Sequence, residues 1–420
     1  MTHVFKFGGA SVKDANGVRN LADIIKTQAP KQLLVVVSAM GKTTNALEEL
    51  NEAFIAGDSR IASLFETVKT YHRGIVADLF PDSKHPIYDE LENVFVEIDW
   101  ILEEAPHPDA DFNYDQLVSI GEILSTKIIA HFVQSIGIPC KWVDARNYIQ
   151  TDNSYREGEV DWEKTTQLIK QSLPAILSTE IVVTQGFIGN TSENFTTTLG
   201  REGSDYSAAI FAYGLQAESL TIWKDVPGVL NADPKLFTDT QKYEQLSYAE
   251  ALEMTYYGAT VIHPKTIKPL QNAGISLLVK PFYAPEEAGT LISEKADSST
   301  LCPAIIVKKN QVLVSISTKD FSFITENHLS ELFTTFASLH IKLNTMQISA
   351  LSFSVCLDYD VKRFQKLQEL LADGFKLKYN EALELITIRH FTAEKIKQLS
   401  AGRKVYMEQL SRNTAQLVVQ

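Results

Sequence analysis

Near the amino end, a lysine and two glycines follow an apolar run in Lys6-Phe7-Gly8-Gly9-Ala10-Ser11. Paired glycines behind a strand let backbone N–H groups approach an anion, and a lysine at the strand end supplies the point charge that phosphoryl transfer uses. The same pattern also serves as a plain turn with a solvated lysine. A second cluster, Thr198-Leu199-Gly200-Arg201-Glu202-Gly203-Ser204-Asp205, reads as a glycine-spaced loop opening a helix at Ser204 or Asp205. Such a start offers unpaired N–H donors, and Arg201 can hold a carboxylate through two parallel hydrogen bonds. Ser204 as a simple N-cap and Arg201 as a surface charge is the alternative. A third segment, Trp223-Lys224-Asp225-Val226-Pro227-Gly228, runs on to Leu230 and Lys235, placing carboxylates and lysines in a long turn after a strand. Gly41-Lys42-Thr43 suggests a P-loop, but that motif needs a glycine where Val36 stands. No G-x-G-x-x-G fingerprint points to a dinucleotide.

These residues need a scaffold. From residue 1 to about 290, Val- and Ile-rich runs alternate with helical periodicity, which predicts an α/β domain on a mostly parallel sheet. The clearest strands are Val4–Phe7, Leu33–Ser38, Ile181–Gln185, Leu220–Lys224 and Ser276–Lys280; the clearest helices are Val18–Lys26, Tyr114–Ser135, Ser204–Leu215 and Tyr248–Tyr257. In a doubly wound sheet ligands bind beyond the carboxyl ends of the strands, where all three clusters fall. Residues 291–310 carry Pro, Ser and charge and read as a linker. Beyond them the pattern predicts a βαββαβ unit over 311–381 and a shortened βαββ copy over 382–420.

At 420 residues the chain exceeds one hydrophobic core and predicts two or three domains. A formal net charge of −13 argues against nucleic acid or anionic membrane as the main partner. No long apolar run suggests a membrane span, and the amino end lacks a secretory pattern, so the cytoplasm is the expected location. Cys140, Cys302 and Cys356 are too scattered for a zinc or redox motif.

Taken in order, Lys6–Ser11, Ser38–Asn45, Ser119–Ser125, Thr184–Phe187, Gly200–Asp205, Trp223–Gly228 and Gly258–Pro264 resemble the aspartokinases of the amino-acid kinase superfamily. The likeness covers about residues 1 to 295, and the tail resembles the ACT regulatory units of that family. It implies a three-layer α/β/α kinase domain, ATP with Mg²⁺, and transfer of the γ-phosphoryl group to the β-carboxylate of L-aspartate. Lys6 and Asp205 take the catalytic positions. Ser38, Thr44, Glu122, Phe187, Arg201, Gly203 and Ser204 match the aspartate site. Lys6, Gly8, Gly9, Lys224, Asp225, Leu230, Lys235, Thr260 and Val261 match the nucleotide site, and no dedicated metal-ligand set is expected. The ACT-like tail implies a homodimer and an amino-acid effector, lysine or threonine.

Several positions depart from the family pattern: Ala10 replaces a threonine, Leu230 an aromatic residue, and Thr260 a lysine expected near the ATP phosphates. Lys224 stands where the family has threonine, which suggests that it relocates the missing charge. The tail lacks the Ser-Glu step of lysine-sensitive relatives around Asn344 to Ser349, so a purely dimerising tail stays open. So do a glutamate or N-acetylglutamate kinase and a catalytically weak sensor. The length leaves no room for a fused homoserine dehydrogenase, and His263 reads as a structural residue opening a helix.

Overall fold

The computed structural model describes residues 1–259, 262–296 and 302–420, which divide into two compact units. The first comprises residues 1–229, 242–252 and 262–296; the second comprises 230–241, 253–259 and 302–420.

The first unit is a three-layer α/β/α domain. Its strands are β1 (Thr2–Phe7), β2 (Gln32–Val37), β3 (Cys140–Trp142), β4 (Ile181–Gln185), the hairpin β5 (Ile188–Asn190) and β6 (Thr196–Thr198), then β7 (Ser219–Lys224), β8 (Gln245–Ser247), β9 (Ser276–Pro281) and β10 (Thr290–Ser293). Its helices are α1 (Ala15–Gln28), α2 (Thr43–Ala56), α3 (Ile61–Leu79), α4 (Ile87–Glu103), α5 (Ala110–Val118), α6 (Ile120–Ser135), α7 (Trp162–Leu177), α8 (Gly203–Leu215) and α10 (Pro264–Ala273); α9 (Tyr248–Tyr257) precedes α10 and is divided between the two units after Leu252. The main sheet has the order β3-β4-β2-β1-β7-β9-β10-β8, parallel from β3 to β9 and antiparallel only between β9 and β10. The chain winds outward from β1 on one side through β2 and on the other through β7, so the switch point lies at the carboxyl end of β1.

Strands covered on both faces read as unbroken apolar runs, and Leu33 to Val37 are fully buried. Phe7 stacks on Trp223 with centroids 6.0 Å apart, joining β1 to β7 beneath the loops that follow them. The five strands expected from sequence are β1, β2, β4, β7 and β9. The helix expected over Tyr114–Ser135 is broken at Ser119 into α5 and α6. By composition Ala110–Ser135 is apolar enough to cross a membrane, yet 78% of its most apolar window is buried, as in a core helix.

In the second unit, β11 (Ala304–Thr318), α11 (Glu326–Ser338), β12 (Leu343–Ile348), β13 (Phe353–Asp358), α12 (Val361–Leu371), β14 (Phe375–Arg389), α13 (Ala393–Ser400), β15 (Val405–Leu410) and β16 (Thr414–Val419) build a sheet of order β12-β13-β11-β14-β16-β15. Two readings of the tail need correction. Of the 291–310 linker, Thr290–Ser293 is strand β10 and Ala304 onward is strand β11. The second ACT-like copy does not begin afresh at 382, because β14 runs through that boundary. Its missing strand is the first part of β11, where Ala304 to Lys308 pair with Arg389 to Leu385. Bulges between Lys308 and Leu313, with Asn310 at φ 56°, divide β11 between the two copies.

Candidate active site

Four strand ends of the first unit, those of β1, β2, β4 and β7, carry the loops that make the site. Ser11 N–H donates to the Gly8 carbonyl at 3.0 Å, and Gly41 N–H donates to the Gly9 carbonyl at 2.9 Å, tying the β1 loop to the β2 loop. A Cβ on Gly9 would stand 2.4 Å from the Ala39 carbonyl oxygen, so any side chain there forces the two loops apart. A Cβ on Gly186 would lie 2.5 Å from the Ser204 Cβ, so the first turn of α8 rests directly on the end of β4. The loops are braced from outside by α3. Tyr71 O–H donates to the Lys13 carbonyl, and buried His72 lies 3.4 Å from the Thr43 hydroxyl, which itself donates to the Met40 carbonyl at 2.6 Å. Burial pushes His72 down to about 4 against the opposing hydrogen bond to Val68, so it is neutral at physiological pH.

The loops enclose a cleft of about 300 Å³ lined by Lys6, Gly8, Gly9, Ala10, Ser11, Ser38, Glu202, Ser204, Asp205, Trp223, Lys224 and Asp225. Asp205, in the first turn of α8, is only 3% exposed. Lys6 Nζ lies 2.6 Å from its Oδ1 and Lys224 Nζ 3.6 Å from its Oδ2. Burial pushes the Asp205 carboxyl upward, but Lys6 and then Lys224 outweigh it and hold it below the usual carboxylate range. Two ammonium groups against one carboxylate, beside a helix amino end, leave this buried cluster net positive. A larger open cleft of about 780 Å³ is lined from α8, α10 and residues 157–162. Its charged lining groups, Glu157, Glu159, Lys265 and Lys268, are all exposed, whereas the smaller cleft holds buried Lys6 and Asp205.

Glu122 lies in the first turn of α6, 3% exposed. Ala39 N–H donates to its Oε1 at 3.2 Å, while its Oε2 is buried without a partner among the described residues. Burial pushes this carboxyl up to about 8, against the backbone hydrogen bonds and the Lys6 charge. Ser125, one turn on, donates to the Ser38 carbonyl at 2.8 Å and fixes α6 to the β2 loop. A buried carboxylate oxygen left open beside this cleft suits a ligand that carries its own cation.

The amino acid kinase family model matches residues 1–281. Lysine-sensitive aspartokinase 3 of Escherichia coli is 32% identical over 357 residues, covering 84% of this chain and 78% of that one. The chain belongs to the amino acid kinase family, among its aspartokinases. A bifunctional aspartokinase/homoserine dehydrogenase of Arabidopsis thaliana is 33% identical over 306 residues, and the chain spans only 32% of its length. The crystal structure of E. coli aspartokinase III in complex with aspartate and ADP superposes with a TM-score of 0.84 at 26% identity, covering 100% of this chain and 96% of that one.

Among the positions that match the aspartokinase pattern, Lys6, Gly8, Gly9, Ser38, Ser204, Asp205, Lys224 and Asp225 share one cleft. Glu122 approaches it through Ala39. Phe187 has φ 69° and donates its N–H to Ser207 Oγ at 2.8 Å; a Cβ on Gly203 would meet its ring at 2.7 Å. Thr44 is half-buried at the start of α2, and Arg201 is exposed on the turn between Gly200 and Gly203. Leu230 and Lys235 belong to the second unit, where Lys235 N–H donates to Asp233 Oδ1 at 2.9 Å. Thr260 and Val261 lie outside the described residues. His263 is the N-cap of α10, its Nδ1 accepting from Lys265 N–H.

Sequence reasoning missed Glu202, which lines the cleft with one carboxylate oxygen buried and unpartnered among the described residues. A glutamate in a glycine-spaced loop looks like a solvated charge, and only its left-handed backbone, φ 55°, turns it inward.

Proposed function

We propose that this chain transfers the γ-phosphoryl group of ATP to the β-carboxylate of L-aspartate in the cytoplasm, giving 4-phospho-L-aspartate. That is the first step towards lysine, threonine, methionine and diaminopimelate. The observation that carries the reading is a net-positive buried cluster, Lys6–Asp205–Lys224, beside a buried carboxylate, Glu122, with one oxygen open. The Glu122 oxygen takes the substrate ammonium. Arg201 takes the α-carboxylate, and Ser38, Thr44, Phe187, Gly203 and Ser204 frame what lies between. Lys6, Gly8, Gly9 and Lys224 hold the phosphates, with Asp225 at the same nucleotide site; Leu230, Lys235, Thr260 and Val261 are assigned to the rest of the nucleotide.

The nucleophile needs no general base, because a β-carboxyl with an ordinary pKa of about 3.9 is ionised at neutral pH. Its oxygen forms a bond to the γ-phosphorus as the bond to the bridging oxygen breaks, and that electron pair leaves on ADP. Lys6 neutralises charge on the transferring oxygens, and the first-turn amides of α8 add their dipole. Asp205 aims Lys6 through their 2.6 Å ion pair. Both oxygens of Asp205 face lysines, whereas the exposed carboxylate of Asp225 on the cleft wall is a hard oxygen donor suited to Mg²⁺ on the nucleotide. When bound, Mg²⁺ would neutralise phosphate charge.

The second unit, with its two ACT-like copies, is assigned to homodimer formation and feedback by an amino acid, lysine first because the E. coli relative is lysine-sensitive. The deciding assay is ATP-dependent formation of β-aspartyl hydroxamate, with glutamate and N-acetylglutamate as competing substrates. Turnover with aspartate alone supports the proposal. Preference for either competitor, or ATP binding without turnover, overturns it.

A further inference from the structure

Asp115 on α5 has no exposed surface, and it sits seven residues before Glu122 on the run that continues into α6. Every hydrogen bond given to its carboxylate comes from the chain that frames the Arg201 turn. Thr198 N–H donates to Oδ2 at 2.8 Å, the Thr198 hydroxyl to Oδ1 at 2.6 Å, and Arg156 N–H to Oδ2 at 2.9 Å. The neighbouring Gln116 repeats the connection two strand residues earlier, donating to the Thr196 carbonyl at 2.8 Å and accepting from Thr196 N–H at 3.2 Å. Thr198 ends β6, and three residues later Arg201 stands exposed on a turn whose Gly200 has φ 78°. The position of Arg201 therefore depends on how firmly Thr198 is anchored.

Packing alone gives no reason for a charge here. A carboxylate taken out of water and met mainly by neutral donors costs free energy that an amide or apolar side chain of similar size would not. Burial pushes Asp115 up to about 6, against the hydrogen bonds from Thr198 and Arg156. What the arrangement does provide is a short, stiff connection between two helical turns on one side and one loop on the other. An α-amino acid carries its ammonium and its carboxylate on a single carbon, so a site that reads both needs its two reading groups at a fixed separation. Misplacing either by about 1 Å can cost on the order of 100-fold.

We propose that Asp115 is a positioning residue for recognition of the amino-acid substrate: by anchoring Thr198 to the helix that leads into Glu122, it sets the separation between Glu122 and Arg201. The proposal rests on the assignment of those two residues to the substrate ammonium and α-carboxylate.

The test is the steady-state kinetics of Asp115→Asn in the full chain. Asparagine keeps the volume but replaces one carboxylate oxygen with an N–H donor, so either the two N–H groups at Oδ2 or the donating Thr198 hydroxyl at Oδ1 lose their acceptor. The expected result is a KM for aspartate raised roughly 10- to 30-fold, with kcat at saturation within about threefold and KM for ATP within about twofold. In an Arg201→Ala background the same substitution should add less than about twofold, because the two act on one contact. A residue that only stabilises the fold would move both KM values and kcat together, and its effect would multiply with that of Arg201→Ala. Either that pattern or an unchanged KM for aspartate overturns the proposal. If Asp115→Asn does not fold, Thr198→Val decides, since it removes the hydroxyl donor alone. A roughly three- to tenfold rise in KM for aspartate only is expected, and none overturns the proposal. Wild-type enzyme inactive towards aspartate removes the functional reading itself, whereas active wild type with indifferent variants removes only the positioning role.

Discussion

At the end of the cleft assigned to phosphate, Asp205 is buried between Lys6 and Lys224, and its carboxyl stays well ionised. At the end assigned to the substrate ammonium, Glu122 is equally buried, has one backbone donor and one open oxygen, and is pushed up to about 8 by burial. The two carboxylates differ in where their counter-charge comes from. Asp205 has its cations built into the fold, so its work of aiming lysines is done before any ligand arrives. Among the described residues Glu122 has no comparably close cation, and in the proposed assignment the substrate supplies it. One end of the site is preorganised and the other is completed by binding.

The largest test of this contrast is at the preorganised end. Lys6→Ala should lower kcat on the order of 10³-fold in the hydroxamate assay while far-UV circular dichroism stays unchanged. Near-normal kcat would remove Lys6 from the chemistry. At the other end, Glu122→Gln should raise KM for aspartate by roughly 100-fold with a much smaller effect on KM for ATP, since one charge-assisted contact is lost. The same variant reports on stability. The folded carboxyl, near 8, holds a proton that the unfolded chain, near 4.5, releases, so ionised Glu122 erodes stability as pH rises across that window. The Tm of Glu122→Gln relative to wild type should therefore climb from pH 5 to 8.5; a flat difference contradicts an unpaired buried carboxyl.

A subtler measurement leaves the sequence intact. If the substrate ammonium draws Glu122 into its charged form, aspartate binding at pH 7 should release most of one proton, as a group titrating at about 8 implies, and clearly less at pH 8.5. Calorimetry in two buffers of unlike ionisation enthalpy reads this directly, and zero release at pH 7 would place the ammonium elsewhere. The smallest effect is expected for Lys224→Thr, which leaves Lys6 on Asp205 and should raise KM for ATP only about three- to tenfold. An unchanged KM would end the idea that Lys224 replaces the charge missing at Thr260.

Legibility in the sequence followed the range of the interaction. Val- and Ile-rich runs such as Leu33–Val37 identify strands because burial on both faces leaves only apolar types, and the helix read over Tyr248–Tyr257 is α9 residue for residue. Lys6, Gly8, Gly9, Ser204, Asp205, Lys224 and Asp225 stood out because each sits in a short motif whose loop geometry is local. The helices between Thr43 and Glu103 went unread, although α3 braces two of the loops through Tyr71 and His72. Asp115 gave no local sign either: its partners, Arg156 and Thr198, lie 41 and 83 residues away in the chain. Strand β11 was divided wrongly because Lys308-Lys309-Asn310 looks like a loop. Only the register against β14 shows the strand continuing through a bulge.

That register has a consequence during synthesis. The first ACT-like copy, from Gln311 to Leu383, contains every strand it pairs with, and it can close as soon as β14 leaves the ribosome. Ala304 to Lys308 emerge earlier yet wait for Leu385 to Arg389, and β14 in turn waits for β16. One copy is thus nested inside the other, and a nascent chain passes through a stage with a finished inner copy and an outer strand whose hydrogen-bonding edge is bare. Nested order of this kind makes the last residues, Thr414 to Val419, the ones that seal the unit. A stall or truncation there would leave an adhesive edge on an otherwise folded chain.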